Sequence, residues 1–383
     1  LDRLVCWITV REYPMTNTVE HRRVHRLASR PIVALLDGKE CDIEMGILRD
    51  ICTVAFCNVS SPLEIHEKVL GQAVGVFVWQ TLRLTGEDLK RFKCLEVIVK
   101  IGSDIDNIDV RAAGELGIAV FNVAGVGVED VADSAMSMIL NLYRQTMVLA
   151  TNVREGLEIQ THHDLAEIAE RCTSIRGDTL GIIGLGKIGT SVALRAKAFG
   201  FKILFYDPYL QQGIERVLGV ERSSSLEDLF FSADCISLHC SYNSGNHEMI
   251  NAGTIQRMRQ GVFLVNTAHA GLINEVDLAQ GLKTGHIQAA ALDVHQCEPR
   301  NLRHGPLADA PNLLVTPHCA YYSKLTAHEL RDLAARQMRV ALLEKSPGLL
   351  KTCVNGQFVK HVDRTLNGGQ DALSRMGGSN FPA

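Results

Sequence analysis

The stretch Thr179-Leu-Gly-Ile-Ile-Gly-Leu-Gly-Lys-Ile-Gly189 restricts the fold more than any other part of the chain. An apolar run enters a G-x-G-x-x-G turn at Gly184, Gly186 and Gly189 and leaves it as the start of a helix. Glycines at these positions give a tight bend, let the backbone approach a pyrophosphate, and let helix and strand pack closely. The helix N-terminus adds free N–H groups and the positive end of a dipole. Ile188, Val192, Ala196 and Phe199 recur at helical spacing as one apolar stripe, with Gly200 as the stop. A second apolar run, Lys202–Tyr206, ends at Asp207. That acid lies about 20 residues past the turn, where a carboxylate takes the ribose hydroxyls of NAD and repels the 2′-phosphate of NADP. The expectation is a dinucleotide site that prefers NAD; the plainer alternative is a tight βα turn with no ligand.

At 383 residues the chain is long enough for two domains. Net charge is −4, so a large nucleic-acid-binding surface is not expected. No apolar run approaches the roughly 18 residues needed to span a bilayer. The 11 cysteines are an odd count, scattered without a C-x-x-C pair, so neither a disulfide framework nor a zinc site is indicated, and no metal is expected. A reducing compartment fits this usage.

Residues 1–29 read as a flexible lead whose basic cluster, His21-Arg-Arg-Val-His-Arg26, suits a solvated tail. From Pro31 short apolar runs alternate with helix-like segments. The runs are Ile32–Leu36, Thr53–Phe56, Val74–Trp79 and Leu95–Val99; the helical segments include Pro62–Leu70 and Thr85–Phe92. Such alternation predicts βα units and a mostly parallel sheet. Gly127–Leu149 reads as one long helix with Leu140 and Tyr143 on its apolar face. Later strands are expected at Cys235–His239, Val262–Val265, Ile287–Val294 and Leu313–Thr316, with a helix at Asn274–Lys283. Thr326-x-x-Glu329 reads as a capping box. Leu330, Leu333, Ala334, Met338, Ala341 and Leu342 follow at helical spacing, and this helix is expected to pack on the first half of the chain. Residues 354–383 read as a disordered tail.

Three further segments, Asn266-Thr-Ala-His-Ala-Gly271, Asp293-Val-His-Gln-Cys-Glu-Pro299 and Thr316-Pro-His318, resemble those of the D-isomer-specific 2-hydroxyacid dehydrogenases. More narrowly, Arg30–Gly38, Glu64–Leu70, Leu194–Phe201 and Phe205–Leu210 resemble the C-terminal-binding proteins, transcriptional corepressors that keep the dehydrogenase fold. The resemblance covers about residues 30–356. It implies an α/β chain of two Rossmann-like, doubly wound parallel-sheet domains, the nucleotide domain inserted into the substrate or partner domain. Residues 30–123 and 320–353 would form the partner domain and 124–319 the NAD-binding domain. It further implies a homodimer or higher assembly, and residence in the nucleus with a cytoplasmic pool. Partners would be transcription factors and chromatin-modifying proteins carrying Pro-x-Asp-Leu-Ser peptides.

By this resemblance His318 is the proton donor for hydride chemistry on a 2-keto acid, and Glu298 orients it and favours its protonated form. Ile183, Gly184, Leu185, Gly186, Lys187, Ile188, Gly189, Asp207, Cys240, Asn246, Thr267 and Asp293 would surround the NAD, with Ser103 at its nicotinamide end. Cys41, Ala55, His66 and Val69 would line the peptide groove. Family members carry arginine where this chain has His269, and a histidine lacks the permanent charge and two-pronged grip of that arginine. Losing two charge-assisted bonds at about 1.5–3 kcal/mol each implies turnover lower by roughly 10²–10⁴-fold. Lys100 stands where the corepressors have arginine, and Asp104 where the family has glycine; a carboxylate there would repel an anionic substrate unless it points away. The resemblance therefore implies an NAD(H)-binding scaffold with weak or no turnover. The alternative is an active D-2-hydroxyacid dehydrogenase.

Overall fold

A computed structural model describes residues 30–296, 305–343 and 353–359. The chain divides into two compact units, one made of Leu1–Ala124 with His328–Ala383 and the other of Gly125–Ala327. The expected lead at 1–29, Glu298 and the tail from 360 lie outside the described residues.

The first unit holds β1 (Ile32–Leu35), β2 (Thr53–Phe56), β3 (Ala73–Val78), β4 (Val97–Lys100) and β5 (Ala119–Asn122) in a parallel sheet of order β2-β1-β3-β4-β5. The strands are short apolar runs because helices cover both faces, and β4 is buried at every residue. The helix Lys324–Leu343 contributes Leu330, Ala334, Met338 and Ala341 to buried positions in its later part. It is fastened to the helix Asp42–Leu48 and to Asp50 just after it by two guanidinium forks. Arg331 holds both carboxylate oxygens of the buried Glu44 at 2.8 Å, and Arg339 holds those of Asp50 at 2.6 and 2.7 Å. The expected docking of this helix on the first part of the chain is therefore present.

The second unit carries β6 (Thr179–Ile183), β7 (Lys202–Tyr206), β8 (Glu221–Arg222), β9 (Cys235–Leu238), β10 (Val262–Asn266), β11 (Ile287–Leu292) and β12 (Leu313–Val315). All pair in parallel, in the order β12-β11-β10-β9-β6-β7-β8. This is the doubly wound order in which the direction of travel reverses between the first and fourth strands, here β6 and β9.

Several sequence expectations are corrected. The segment Gly127–Leu149 is two helices, Val128–Arg144 and Thr146–Arg154, because Gln145 adopts a left-handed conformation with φ 53°. The Asn141 side chain stabilises the break by accepting the Met147 N–H at 3.2 Å. Tyr143 is fully buried, but Leu140 is only partly so. Phe199 is exposed rather than part of the apolar stripe, since it caps the helix Lys187–Ala198; the buried stripe is Gly189, Val192, Ala193 and Ala196. Gly200 follows in the left-handed region, as a helix stop requires. Thr326 is not an N-cap, because the last helix starts at Lys324. Ser323 Oγ accepts the Thr326 N–H at 3.1 Å, while the Thr326 hydroxyl donates to Asp130. Leu333 faces outward.

Residues 354–359, part of the expected tail, are folded against the first unit. Asn355 is fully buried, and its amide works in both directions. Its Oδ1 accepts the Val120 N–H at 2.9 Å, and its Nδ2 donates to the carbonyls of Val110 and Ile118, both at 3.0 Å. The Val354 N–H donates to Val120 O at 2.8 Å. Residues 353–359 thus cover the otherwise open edge of β5.

Candidate functional site

Almost every candidate cofactor or catalytic residue of the second unit lies at the carboxyl end of a strand. The glycine turn follows β6, Asp207 follows β7, Cys240 follows β9, Thr267 and His269 follow β10, Asp293 follows β11, and His318 lies just past β12. Parallel pairing puts all these ends on one edge of the sheet, beside the reversal between β6 and β9, where open α/β sheets bind ligands. Ser103 belongs to the other unit, where it is exposed and its carbonyl accepts from Asn122 Nδ2 at 2.6 Å.

The turn needs its glycines. Gly184 has φ 90°, and a Cβ there would lie 2.6 Å from the Cys240 backbone nitrogen. A Cβ on Gly189 would lie 2.1 Å from Gly184 O. At Gly186 a Cβ would meet no atom within 4 Å, so the space over the helix start is open. Lys187 is exposed there, Leu185 is buried, and Ile188 is partly buried. Asp207 accepts the Leu185 N–H at 3.0 Å through Oδ2 and the Tyr209 N–H at 3.0 Å through Oδ1. Its carboxylate is therefore fixed against the turn.

Thr267 Oγ1 is buried and has no hydrogen-bond partner among the described residues. A buried hydroxyl without a partner is costly, and a bound ligand at this edge would relieve it. An open glycine cradle, a fixed carboxylate and an orphaned hydroxyl fit a dinucleotide. Asn246 braces its own loop, with Nδ2 donating to Ser241 O and Oδ1 accepting from Asn243 N, each at 2.8 Å. Burial pushes the Cys240 thiol up to about 11, so it is not a nucleophile near neutral pH. Burial pushes the neighbouring His239 down to about 4.

Asp293, 1% exposed, is committed to the turn that carries His318. Its Oδ1 accepts from Thr316 Oγ1 at 2.5 Å and from Cys319 N at 2.9 Å, and its Oδ2 accepts from Ala320 N at 2.9 Å. The His318 N–H donates to the Asp293 carbonyl at 2.9 Å. Non-glycine residues rarely adopt φ 53° as His318 does, and this clamp supports it. Tyr321 meets the His318 ring edge-on at 6.3 Å between centroids.

His269 is held just as firmly. The buried Asn266 accepts the His269 N–H at 3.3 Å and donates to the His269 carbonyl at 2.9 Å. His269 Nδ1 accepts the Gly271 N–H at 3.0 Å, and the ring stacks on Tyr242 at 4.2 Å and 13°. On the first unit, buried Lys100 pairs with Asp104 at 2.7 Å. The carboxylate of Asp104 is thereby neutralised, which removes the repulsion expected from it.

The profile of the D-isomer specific 2-hydroxyacid dehydrogenase NAD binding domain matches residues 136–320. C-terminal-binding protein 1 of Caenorhabditis elegans is 45% identical over 343 residues, covering 89% of this chain and 47% of that protein. The chain belongs to the D-isomer-specific 2-hydroxyacid dehydrogenase superfamily. A D-3-phosphoglycerate dehydrogenase of Methanocaldococcus jannaschii is 32% identical over 330 residues, covering 86% of this chain and 59% of that enzyme. The chain thus spans about half the length of these relatives. A D-lactate dehydrogenase of Aquifex aeolicus, solved with NAD and lactic acid, superposes with a TM-score of 0.71. It has 25% identity, over 84% of this chain and 99% of that one. As a superfamily member with its glycine cradle and Asp207 in place, the chain carries an NAD-binding domain in its second unit.

The groove residues lie in the first unit. Cys41 and Ala55 are buried, and Val69 belongs to the apolar core with Ala34, Ile65 and Val76. His66 is exposed, its Nδ1 accepting the Lys68 N–H at 3.1 Å as a helix cap. Ala55 lies on β2, the edge strand of its sheet. Tyr242 and Asn355 have no signal in the sequence beyond their residue types, since each acts through a partner distant along the chain. Among the described residues no cluster of His, Cys, Asp or Glu could hold a metal ion, and no helix is long and apolar enough to cross a membrane.

Proposed function

We propose that the chain is an NAD(H)-binding transcriptional corepressor scaffold of the nucleus, with a cytoplasmic pool and a degenerate dehydrogenase site. The observation that carries this reading is the contrast within one edge of the second unit. The glycine turn, Asp207 and Thr267 suit a dinucleotide, while His269, whose Nδ1 accepts a backbone N–H, stands where family members carry arginine and lacks that side chain's permanent charge and two-pronged grip on a carboxylate. Bound NAD(H) would supply hydride chemistry. Gly184–Gly189, Asp207 and Thr267 would hold it, His318 would hold a proton at its imidazole, and Asp293 would fix His318 in place. Glu298 remains the proposed partner of His318.

Dimerisation is proposed through the second unit. The helices Thr146–Arg154 and His162–Ile168 contain no buried residue; Met147, Val148, Val153 and Leu165 are exposed on them, and Leu157 and Ile159 are exposed in the segment between. Helices this short need an apolar face covered to be stable. Partner recruitment is proposed at the first unit, by an extended Pro-x-Asp-Leu-Ser peptide beside Cys41, Ala55, His66 and Val69.

One observation favours the dehydrogenase reading: Lys100 neutralises Asp104. The deciding experiment is a titration of the purified chain with NADH, followed by a 2-keto-acid chase in the same cuvette. Micromolar NADH binding with negligible oxidation is expected. Turnover at tens per second would establish the dehydrogenase, and no NADH binding would remove both readings.

A further inference from the structure

The strap over β5 is pinned by an amide that is chemically labile. Asn355 is followed by Gly356. An Asn-Gly pair loses its side-chain amide readily, because the bare and flexible glycine backbone lets its nitrogen reach the side-chain carbonyl carbon of the asparagine. In the docked strap both reacting groups are committed elsewhere. The fully buried Asn355 accepts from Val120 N through Oδ1 and donates to the carbonyls of Val110 and Ile118 through Nδ2. Ring closure must turn the amide carbon onto the Gly356 nitrogen, a motion that these bonds oppose. The Gly356 N–H donates to Cys353 O at 3.4 Å and the Phe358 N–H to Asn355 O at 2.8 Å, so the pair is wound into a turn. Phe358 closes that turn onto the helix Val110–Glu115, where a Cβ on Gly114 would lie 2.5 Å from Phe358 Cβ. The docked strap therefore shields the pair, and a released strap exposes it.

We propose that Asn355-Gly356 is a deamidation site gated by the strap: sealed while residues 353–359 cover β5, converted when they leave it, and unable to dock again once converted. In the step, the Gly356 nitrogen bonds to Asn355 Cγ and the Cγ–Nδ2 bond breaks. Nδ2 departs as ammonia, taking the proton that the Gly356 nitrogen gives up. Water then opens the cyclic imide. Attack at Cγ leaves aspartate; attack at the main-chain carbonyl leaves isoaspartate, in which the chain runs through the side chain and is longer by a methylene. Nothing is oxidised or reduced. Neither product fits the old seat. An aspartate can accept from Val120 but has no N–H for the carbonyls of Val110 and Ile118, and its charge would be buried beside their oxygens. An isoaspartate also displaces the residues that follow, Phe358 among them. Conversion leaves the N–H and carbonyl of Val120 without their strap partners, on an open strand edge. A transient release thus becomes a permanent one.

The test incubates the full chain in mildly alkaline buffer, either folded or unfolded in urea. Conversion is read by mass spectrometry of proteolytic peptides, which separates Asn355 from the second Asn-Gly pair, Asn367-Gly368, outside the described residues. Conversion of Asn355 is expected to be at least about a hundredfold slower in the folded chain, since it must wait for an opening that breaks the hydrogen bonds of a buried amide. Gly356→Ala should slow conversion in urea, because the added methyl hinders the approach of the nitrogen. Strap docking is read by hydrogen exchange at Val120. Asn355→Asp, expressed directly and never exposed to urea, should leave the Val120 amide unprotected while the amides of β10 keep their protection. Similar conversion rates in the folded and unfolded parent chain overturn the proposal. So does parental protection of Val120 in Asn355→Asp, which would mean that a converted strap still docks. A Gly356→Ala rate equal to the parent's in urea overturns it as well, since ring closure on that nitrogen would not be the route.

Discussion

Asp293 accepts the Cys319 N–H at 2.9 Å, so its carboxylate is an organiser of the His318 turn before it is anything else. Asp293→Asn replaces one accepting oxygen by a donor facing the Thr316 hydroxyl or the Ala320 N–H. The expected loss is about 1–3 kcal/mol, with faster amide exchange at Cys319 and Ala320 than elsewhere in the second unit. Thermal melts and hydrogen exchange would check this. Unchanged protection at those two amides would mean that the turn holds itself.

The glycine turn predicts two different failures. Gly184→Ala forces a side chain into a left-handed residue and onto the Cys240 backbone, so the fold should lose on the order of 2 kcal/mol or more. Gly186→Ala meets only open space in the protein, so its melting temperature should stay near the parent's. Its NADH affinity should nevertheless drop at least tenfold, because the new methyl occupies the phosphate approach. Melting curves paired with fluorescence titrations separate the two, and a Gly186→Ala variant with parental affinity would argue against a pyrophosphate at that point.

Acid should destabilise the second unit through His239. Burial lowers its folded-state pKa from 6.5 to about 4. Its contribution to stability is complete above pH 6.5 and is lost as pH falls towards 4, because only the unfolded chain takes up the proton in that window. The loss should be roughly 2–3 kcal/mol. Denaturant titrations at pH 7.5 and 4.5 would measure it, and His239→Asn should flatten the difference. An equally steep decline in that variant would place the acid sensitivity elsewhere.

Asn355→Ala removes an amide that serves three backbone groups in a buried position. A cost of about 2–4 kcal/mol is expected, and Asn355→Asp should recover little, since it can accept from Val120 but cannot donate to Val110 and Ile118. Urea unfolding is the measurement. A shift under 0.5 kcal/mol, on the order of a surface substitution, would mean that the strap adds nothing to the sheet.

Much of this architecture is legible in the amino-acid sequence, and the exceptions have common causes. The strands are readable because a parallel sheet buried on both faces demands unbroken apolar runs such as Val262–Asn266. The glycine turn is readable because Gly184 and Gly189 have no room for a Cβ. Gln145 is unreadable as a helix break because glutamine favours helices and the stabilising partner is the amide of Asn141, a neighbour in space. Leu333 and Phe199 fit the periodicity yet face outward, since spacing alone does not say how wide the covered stripe is. At the candidate site, residue types suggest which groups gather, and the gathering of Asp207, Thr267 and Asp293 at strand ends agrees with that. The sequence does not reveal that Lys100 neutralises Asp104, or that Tyr242 flattens itself on His269. Both depend on loop conformations with no repeating pattern.

The strap of residues 353–359 bears on how the protein is made. Asn355 and Val120 are hydrogen-bonded across 235 positions of chain, and every residue of the second unit is synthesised between them. The second unit can close on its own contacts while the ribosome is still working. The first must wait, with its β5 edge uncovered, until its last segment emerges. Contacts of such long sequence separation form slowly, and an uncovered strand edge in the meantime invites pairing with another chain. Nascent chains stalled before residue 353 should therefore hold one finished Rossmann-type unit and one exposed to misassembly.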